Sequence, residues 1–317
     1  MSQLIKERAN FANRLRVYLS ERFPLGPYVL LMLAFTLSAY ALAPALSHTS
    51  SPLRLDWTAL AGFITVLLIF FHLRIFDEFK DLETDLKFHP ERPIPRGLVT
   101  LSEMRTLGLA VIAIEIALNL LLGGKIFLFY LAVLLYSLLM FKEFFIGRWL
   151  RRDLFIYALT HTPIMVLIGL YAHAVYTVQH QLAIARSIGF YLAICFLTGL
   201  LFEIARKVRA PEDEREGVET YSKYFGTTRV ATVLILLLLW STLGAWGIGW
   251  AGKFSVYYYA LTMLVFVAVS VGVWNYRRTP SPTNAKRIGL YTSLYTLALY
   301  GFIILECVWS RGIVFGF

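Results

Sequence analysis

Six stretches of this 317-residue chain run for seventeen residues or more without Asp, Glu, Lys or Arg: 23–53, 57–73, 154–185, 230–252, 254–276 and 288–305. A helix needs roughly 20 apolar residues to cross the hydrocarbon of a bilayer, with a lower limit near 17. Shorter runs occupy 126–141 and 187–202, and 106–124 qualifies if Glu115 is accepted inside it. About nine spans result, near 27–47, 55–73, 106–123, 126–141, 154–173, 186–203, 230–250, 255–274 and 288–307. Charged residues make up 16% of the chain, against about 25% in a soluble domain. The expected fold is an all-α polytopic membrane protein. No linker or low-complexity segment divides it, so 1–317 reads as one integral domain.

The net charge is +10, and its placement is informative. Basic residues cluster in an N-terminal arm (Lys6, Arg8, Arg14, Arg16, Arg22), around an Asp-rich loop, in Lys142 to Arg152, in Arg206 to Arg229, and from Arg277 to Arg287. The loops near 48–53, 123–125, 173–185 and 251–253 carry few basic residues. With nine spans, rich and poor loops alternate. The excess of Lys and Arg in cytoplasmic loops then puts the N-terminus and both acidic loops in the cytoplasm and the C-terminus outside. Charge that borders spans, instead of lining one soluble face, argues against nucleic-acid binding. Residues 1–22 predict an amphipathic arm on the cytoplasmic leaflet, with Leu4, Phe11, Leu15 and Tyr18 near one face. No cleavable signal peptide is recognisable at the start. Cys195 and Cys307 lie in apolar spans and read as small buried hydrophobes.

Two long charged loops stand out, at about 74–105 and 204–229, each four spans from the other. This is a weak pseudo-repeat, an arrangement that often places the working site at the repeat interface. The first loop carries Asp77, Asp81 and Asp85, spaced by four. On a helix that spacing stacks side chains along one face. Like charges so stacked call for a neutralising cation, most simply Mg²⁺, which binds through a few carboxylates plus substrate phosphates. Lys80, Arg92 and Arg96 lie close by in sequence. Carboxylates mixed with guanidinium groups suit a metal-bound phosphate. A solvated helix with internal ion pairs is the alternative.

The motif resembles one found in the UbiA superfamily of intramembrane prenyltransferases, Asn-x-x-x-Asp-x-x-x-Asp after the second span. Asp stands here in the Asn place, and Arg92-Pro93-Ile94-Pro95-Arg96-Gly97 follows at the distance of the Arg-Pro-x-x-x-Gly found in some branches. The resemblance implies a helical bundle around a central lipid-open cavity, with Asp77, Asp81 and Asp85 as metal ligands and catalytic groups. It implies a pair of Mg²⁺ ions on the diphosphate of a prenyl donor, with Lys80, Arg92, Arg96, Arg206 and Lys207 as diphosphate contacts. The second family motif, Asp-x-x-x-Asp before a Phe-Gly like Phe225-Gly226, is incomplete. Its last position falls on Asp213, but its first falls on Arg209, which cannot bind a metal. Glu203 is the first candidate for the replacement ligand, with Glu212 and Glu216 as alternatives; it would converge with Asp213 on the same diphosphate if the chain turns between Arg209 and Glu212, where Pro211 opposes a continuous helix.

Glu115, His161 and Glu306 are ionisable residues inside spans, where charge is expensive and usually faces a polar interior. Glu115 and His161 are candidates for an acceptor site, against the alternative of a structural interhelical hydrogen bond. Glu306 reads as interfacial. The resemblance implies transfer of an isoprenyl group from a prenyl diphosphate to a lipophilic, commonly aromatic, acceptor in contact with membrane lipids. The rivals are a UbiA-like terpene cyclase, which ionises the same donor without an acceptor, and a transporter or lipid-binding protein.

Overall fold

The computed structural model describes residues 10–316, so Leu4 of the expected arm lies outside them. Helix α1 (Phe11–Arg22) precedes a membrane bundle. The bundle comprises α2 (Leu25–Leu46), α3 (Trp57–Lys80), the short α4 (Leu82–Phe88), α5 (Leu101–Leu122) and α6 (Gly124–Phe141). It continues through α7 (Gly147–Leu150), α8 (Leu154–His161), α9 (Pro163–Gln179) and α10 (Ile188–Arg206). After α11 (Tyr221–Phe225) come α12 (Thr227–Gly252), α13 (Val256–Arg278) and α14 (Pro282–Arg311). Among the described residues, nine stretches are long and apolar enough to cross a membrane, with α8 and α9 counted as one broken span. They coincide with the nine expected runs. Two features were not legible in hydropathy. The second span continues to Lys80, carrying polar residues on its last turns, and two short strands lie outside the bundle.

Local chemistry sets the helix ends. Asp56 accepts from the backbone N–H groups of Thr58 and Ala59 at 3.0 and 3.2 Å and starts α3. Thr100 and Glu103 form a reciprocal capping box at the start of α5. Gly123, at φ 110°, is the single residue between α5 and α6, a backbone state that L side chains rarely adopt. Asp153 caps α8, and Pro163 at the first turn of α9 separates the two halves of the fifth span.

The strands β1 (Leu53–Leu55) and β2 (Ile313–Phe315) follow α2 and α14 and pair in parallel, Leu53 opposite Ile313. They fasten the ends of these two helices to each other. At the opposite end of the bundle, α1 is bound to the first polar loop. Arg14 donates to both Glu103 carboxylate oxygens and to the Leu98 carbonyl. Glu78, fully enclosed, is held by Arg74 at 2.6 Å, Arg22 at 2.9 Å and Tyr18 at 3.3 Å. Glu21 pairs with Arg96 at 2.8 Å. Tyr18 is buried with Ile75, Ile94, Val99 and Met104 in a small core of its own. The arm's charges thus turn toward the protein more than toward a lipid surface, because the loop offers carboxylates where Arg14 and Arg22 fall.

Candidate active site

A cavity of about 590 Å³ opens at the end of the bundle that carries the two polar loops. Its mouth is polar. Helix α3 supplies Arg74, Asp77 and Lys80, α10 supplies Glu203 and Arg206, α2 supplies Tyr28, and α8 supplies Tyr157 and His161. These side chains are there because α3 and α10 outrun their apolar segments by one or two turns. Deeper walls are apolar, with Leu31, Phe35, Phe70, Leu73, Met140 and Met165 among them. Tyr300 ends the cavity, its hydroxyl 3.0 Å from that of Thr198. Leu30 of α2 and Leu294 of α14 line the cavity and are each more than half exposed, so the wall between these helices is incomplete at that depth. Beyond it, Phe35 meets Tyr300 edge-on at 5.4 Å and closes the gap.

The expected row of carboxylates is divided. Helix α3 ends at Lys80, Asp81 sits at the junction, and α4 starts at Leu82. Asp77 lines the cavity with its side chain about half exposed, and its nearest cation is Arg74 at 3.8 Å, too far for a hydrogen bond. Asp81 lies one helical turn on, its backbone N–H bonded to the Asp77 carbonyl; its side chain is exposed beside the mouth's residues Asp77 and Lys80 and is not part of the cavity lining. Asp85 is different. It is buried, its carboxylate bound by Arg92 and approached by Arg22 at 3.7 Å. Burial pushes its carboxyl above the ordinary value, against the pull of Arg92. Arg96 is taken by Glu21 and by the Glu91 carbonyl. Asp85, Arg92 and Arg96 therefore brace the loop against α1 and do not line the cavity. The Asp spacing pointed to one shared face, but the helix break at Asp81 and the cations Arg92 and Arg22 turn Asp85 inward.

In the second loop, Glu203 reaches the cavity, where Arg206 at 2.6 Å and Lys207 at 3.0 Å already occupy its oxygens. Asp213 is exposed on a short 3-10 turn, Pro211–Asp213, and does not line the cavity. The chain turns at Pro211 as expected, without returning Asp213 to the mouth beside Glu203. Lys207 points to Glu203 and to the face of Tyr221, 5.9 Å from its centroid, and is absent from the lining.

The two acceptor-site candidates separate. Glu115 is sealed between helices, 2.8 Å from His72 Nδ1 and accepting from Tyr130 at 3.0 Å. Asn119, one turn on, accepts from Tyr171 at 2.8 Å and donates to the Glu115 carbonyl. Polar atoms from four helices, α3, α5, α6 and α9, are thereby satisfied inside the bundle, which is the structural alternative the sequence left open. His161 instead faces the cavity. It stacks on Tyr157, with ring centroids 3.9 Å apart, and Phe144 meets its edge at 5.6 Å. Phe144 projects from Glu143–Phe145, three consecutive non-glycine residues at φ 47°, 53° and 60°. Left-handed backbone costs about 1 kcal/mol or more per such residue. The buried Glu143, paired with Arg151 at 2.9 Å, holds the turn. Arg74, Tyr28 and Tyr157 were missed in the sequence. Arg74, three residues before Asp77, was the one a helical-spacing argument could have found.

The match to the UbiA prenyltransferase family model runs over residues 32–305, which include both cavity-lining helix ends. The chain belongs to the UbiA prenyltransferase family. The UbiA fold is shared with a solved structure of digeranylgeranylglyceryl phosphate synthase at 16% identity and a TM-score of 0.60, covering 93% of this chain and 99% of that one. An apo structure of a UbiA homologue from Aeropyrum pernix K1 superposes at 15% identity and a TM-score of 0.63, covering 86% and 97%. No curated protein matches the sequence. At these identities the likeness is one of fold.

As to a metal, no three His, Cys, Asp or Glu side chains gather as a ready-made cluster among the described residues. Asp77 and Asp81 fit Mg²⁺ on other grounds. They are hard oxygen donors one helical turn apart, neither makes a side-chain hydrogen bond, and Mg²⁺ is commonly held by one or two carboxylates completed by substrate phosphates. Glu203 and Asp85, with their oxygens already occupied, fit less well.

Proposed function

We propose that this UbiA-family membrane protein transfers an isoprenyl group from a prenyl diphosphate to a lipophilic acceptor, an aromatic ring first among them, with Mg²⁺ required. One observation carries the reading: the Asp77 carboxylate, which makes no hydrogen bond, stands among Arg74, Lys80 and Arg206 at the mouth of a deep apolar cavity. A diphosphate needs anchoring cations and an isoprenyl chain needs an apolar sleeve, and the two adjoin here. Asp77 and Asp81 would hold the metal, which when bound neutralises the departing diphosphate. Lys80 and Arg206 would take its remaining charge. Leu31, Phe35, Phe70 and Leu73 keep water from the allylic carbon and hold the chain extended. Basic residues around both polar loops support a cytoplasmic mouth.

The test is a screen of prenyl diphosphates of increasing chain length, with the purified protein in lipid and pyrophosphate release as readout. Release that needs Mg²⁺, with a prenylated acceptor as product, is expected. A cyclic hydrocarbon formed without acceptor identifies a cyclase instead. No release from any chain length overturns the proposal, and uptake into proteoliposomes without release points to transport.

A further inference from the structure

Prenylation of an acceptor that carries hydrogen at the attacking atom must release a proton. We infer that His161 Nε2 receives it; this rests on the prenyl-transfer reading above. The tautomer is set by the chain. His161 Nδ1 lies 2.8 Å from the Tyr157 carbonyl oxygen, which can only accept, so Nδ1 carries the hydrogen and Nε2 offers the lone pair. Nε2 is on the cavity side, and its neighbour there is Lys80 Nζ at 3.5 Å. The ring has little freedom. Tyr157 stacks on one face and Phe144 meets its edge, borne by the left-handed turn that Glu143 and Arg151 hold. A base held in orientation before substrate arrives is what proton transfer requires.

The position of Lys80 orders the events. Before a donor binds, its ammonium faces Nε2 and the Tyr157 ring. A diphosphate at the mouth offers it a much stronger partner, and Nε2 is then uncovered toward the acceptor. The allylic C–O bond breaks with its electron pair staying on the diphosphate. An electron pair of the acceptor forms the new bond to the allylic carbon, and the acceptor's proton passes to Nε2. From there it leaves through the polar mouth toward water or the released diphosphate. The other charged or titratable groups facing this ring are Tyr157 on its own helix, Asp77 from α3, Glu203 and Arg206 from α10, and Glu143 beside Phe144. Asp77 is assigned to metal and Glu203 is held by Arg206 and Lys207, which leaves Nε2 as the cavity base with an open lone pair.

The experiment compares wild type with His161→Asn and His161→Gln, full-length and in lipid, using the donor and acceptor identified by the screen above. Asn keeps a donor near Nδ1 and removes the Nε2 base. Prenylated acceptor should fall about 100-fold or more. Donor affinity should stay within about twofold, and pyrophosphate release should continue, with the chain recovered as free prenyl alcohol. The acid limb of the rate–pH profile should vanish in both variants. Wild-type product yield with an unchanged profile in His161→Asn overturns the assignment. So does loss of donor binding, which would put His161 in the diphosphate site. Absence of pyrophosphate release by the wild type overturns the prenyl-transfer reading itself and is seen before any variant is made.

Discussion

Asp77, Asp81 and Asp85 are equivalent in spacing and unequal in surroundings. Asp77 and Asp81 keep free oxygens, whereas Asp85 is buried against Arg92 and Arg22. Asp81→Ala should therefore lower turnover by about two orders of magnitude or more, the loss expected when a charge-stabilising group is removed, and leave the melting temperature unchanged. Asp77→Asn should be milder than Asp77→Ala, since an amide oxygen remains. Asp85→Ala should do the reverse at first order. It leaves Arg92 without its carboxylate and Arg22 with Glu78 alone, at a cost of about 2 kcal/mol, and thermal unfolding in detergent would show it. Equal melting temperatures for the three variants would refute this division. The carboxylate motif was legible because its period is local. Its division was not, because no local pattern announces the helix break at Asp81 or the approach of Arg22, 63 residues before Asp85 (85 − 22).

Helix α1 shows the same limit for a whole element. Its amphipathic pattern was readable, and the surface it meets was not. Arg14, Tyr18 and Arg22 grip Glu103 and Glu78 and so tie the arm to α3 and α5, the helices on either side of the acidic loop. Glu78→Ala would leave Arg74 and Arg22 without their shared partner, at about 3 kcal/mol. The first loop should then become sensitive to limited proteolysis while the rest of the bundle stays resistant. The His72–Glu115 pair fastens α3 to α5 more deeply. Either single change to Leu strands an ionisable group among apolar neighbours. The double change His72→Leu with Glu115→Leu should lie closer to wild type in melting temperature than either single, since matched apolar replacement of a buried pair is often near neutral. A double variant less stable than both singles would show that the pair contributes more than its own satisfaction.

For the molecule as a whole, the nine spans were legible because hydrocarbon admits few solutions: each apolar run of sufficient length must pair its own amides. The cavity was less so, because hydropathy does not tell which faces of α2, α3, α10 and α14 stay apart. Sidedness remains readable from charge. Glu83→Cys and Glu216→Cys should both label from the cytoplasmic side and Lys253→Cys from the other, with Cys195 and Cys307 silent because both are buried. Labels from opposite sides at positions 83 and 216 would separate the two loops and end the shared-mouth model. The first and last spans have one further consequence. They are tied by paired strands at one end, with Leu53 bonded to Gly312 at 3.0 Å, and stand apart at Leu30 and Leu294 toward the other. On the prenyl-transfer reading, a chain in the cavity would meet lipid at Leu30 and Leu294, on the side away from the strands. An enzyme built this way would draw its substrate from, and return its product to, the sheet of lipid beside its mouth.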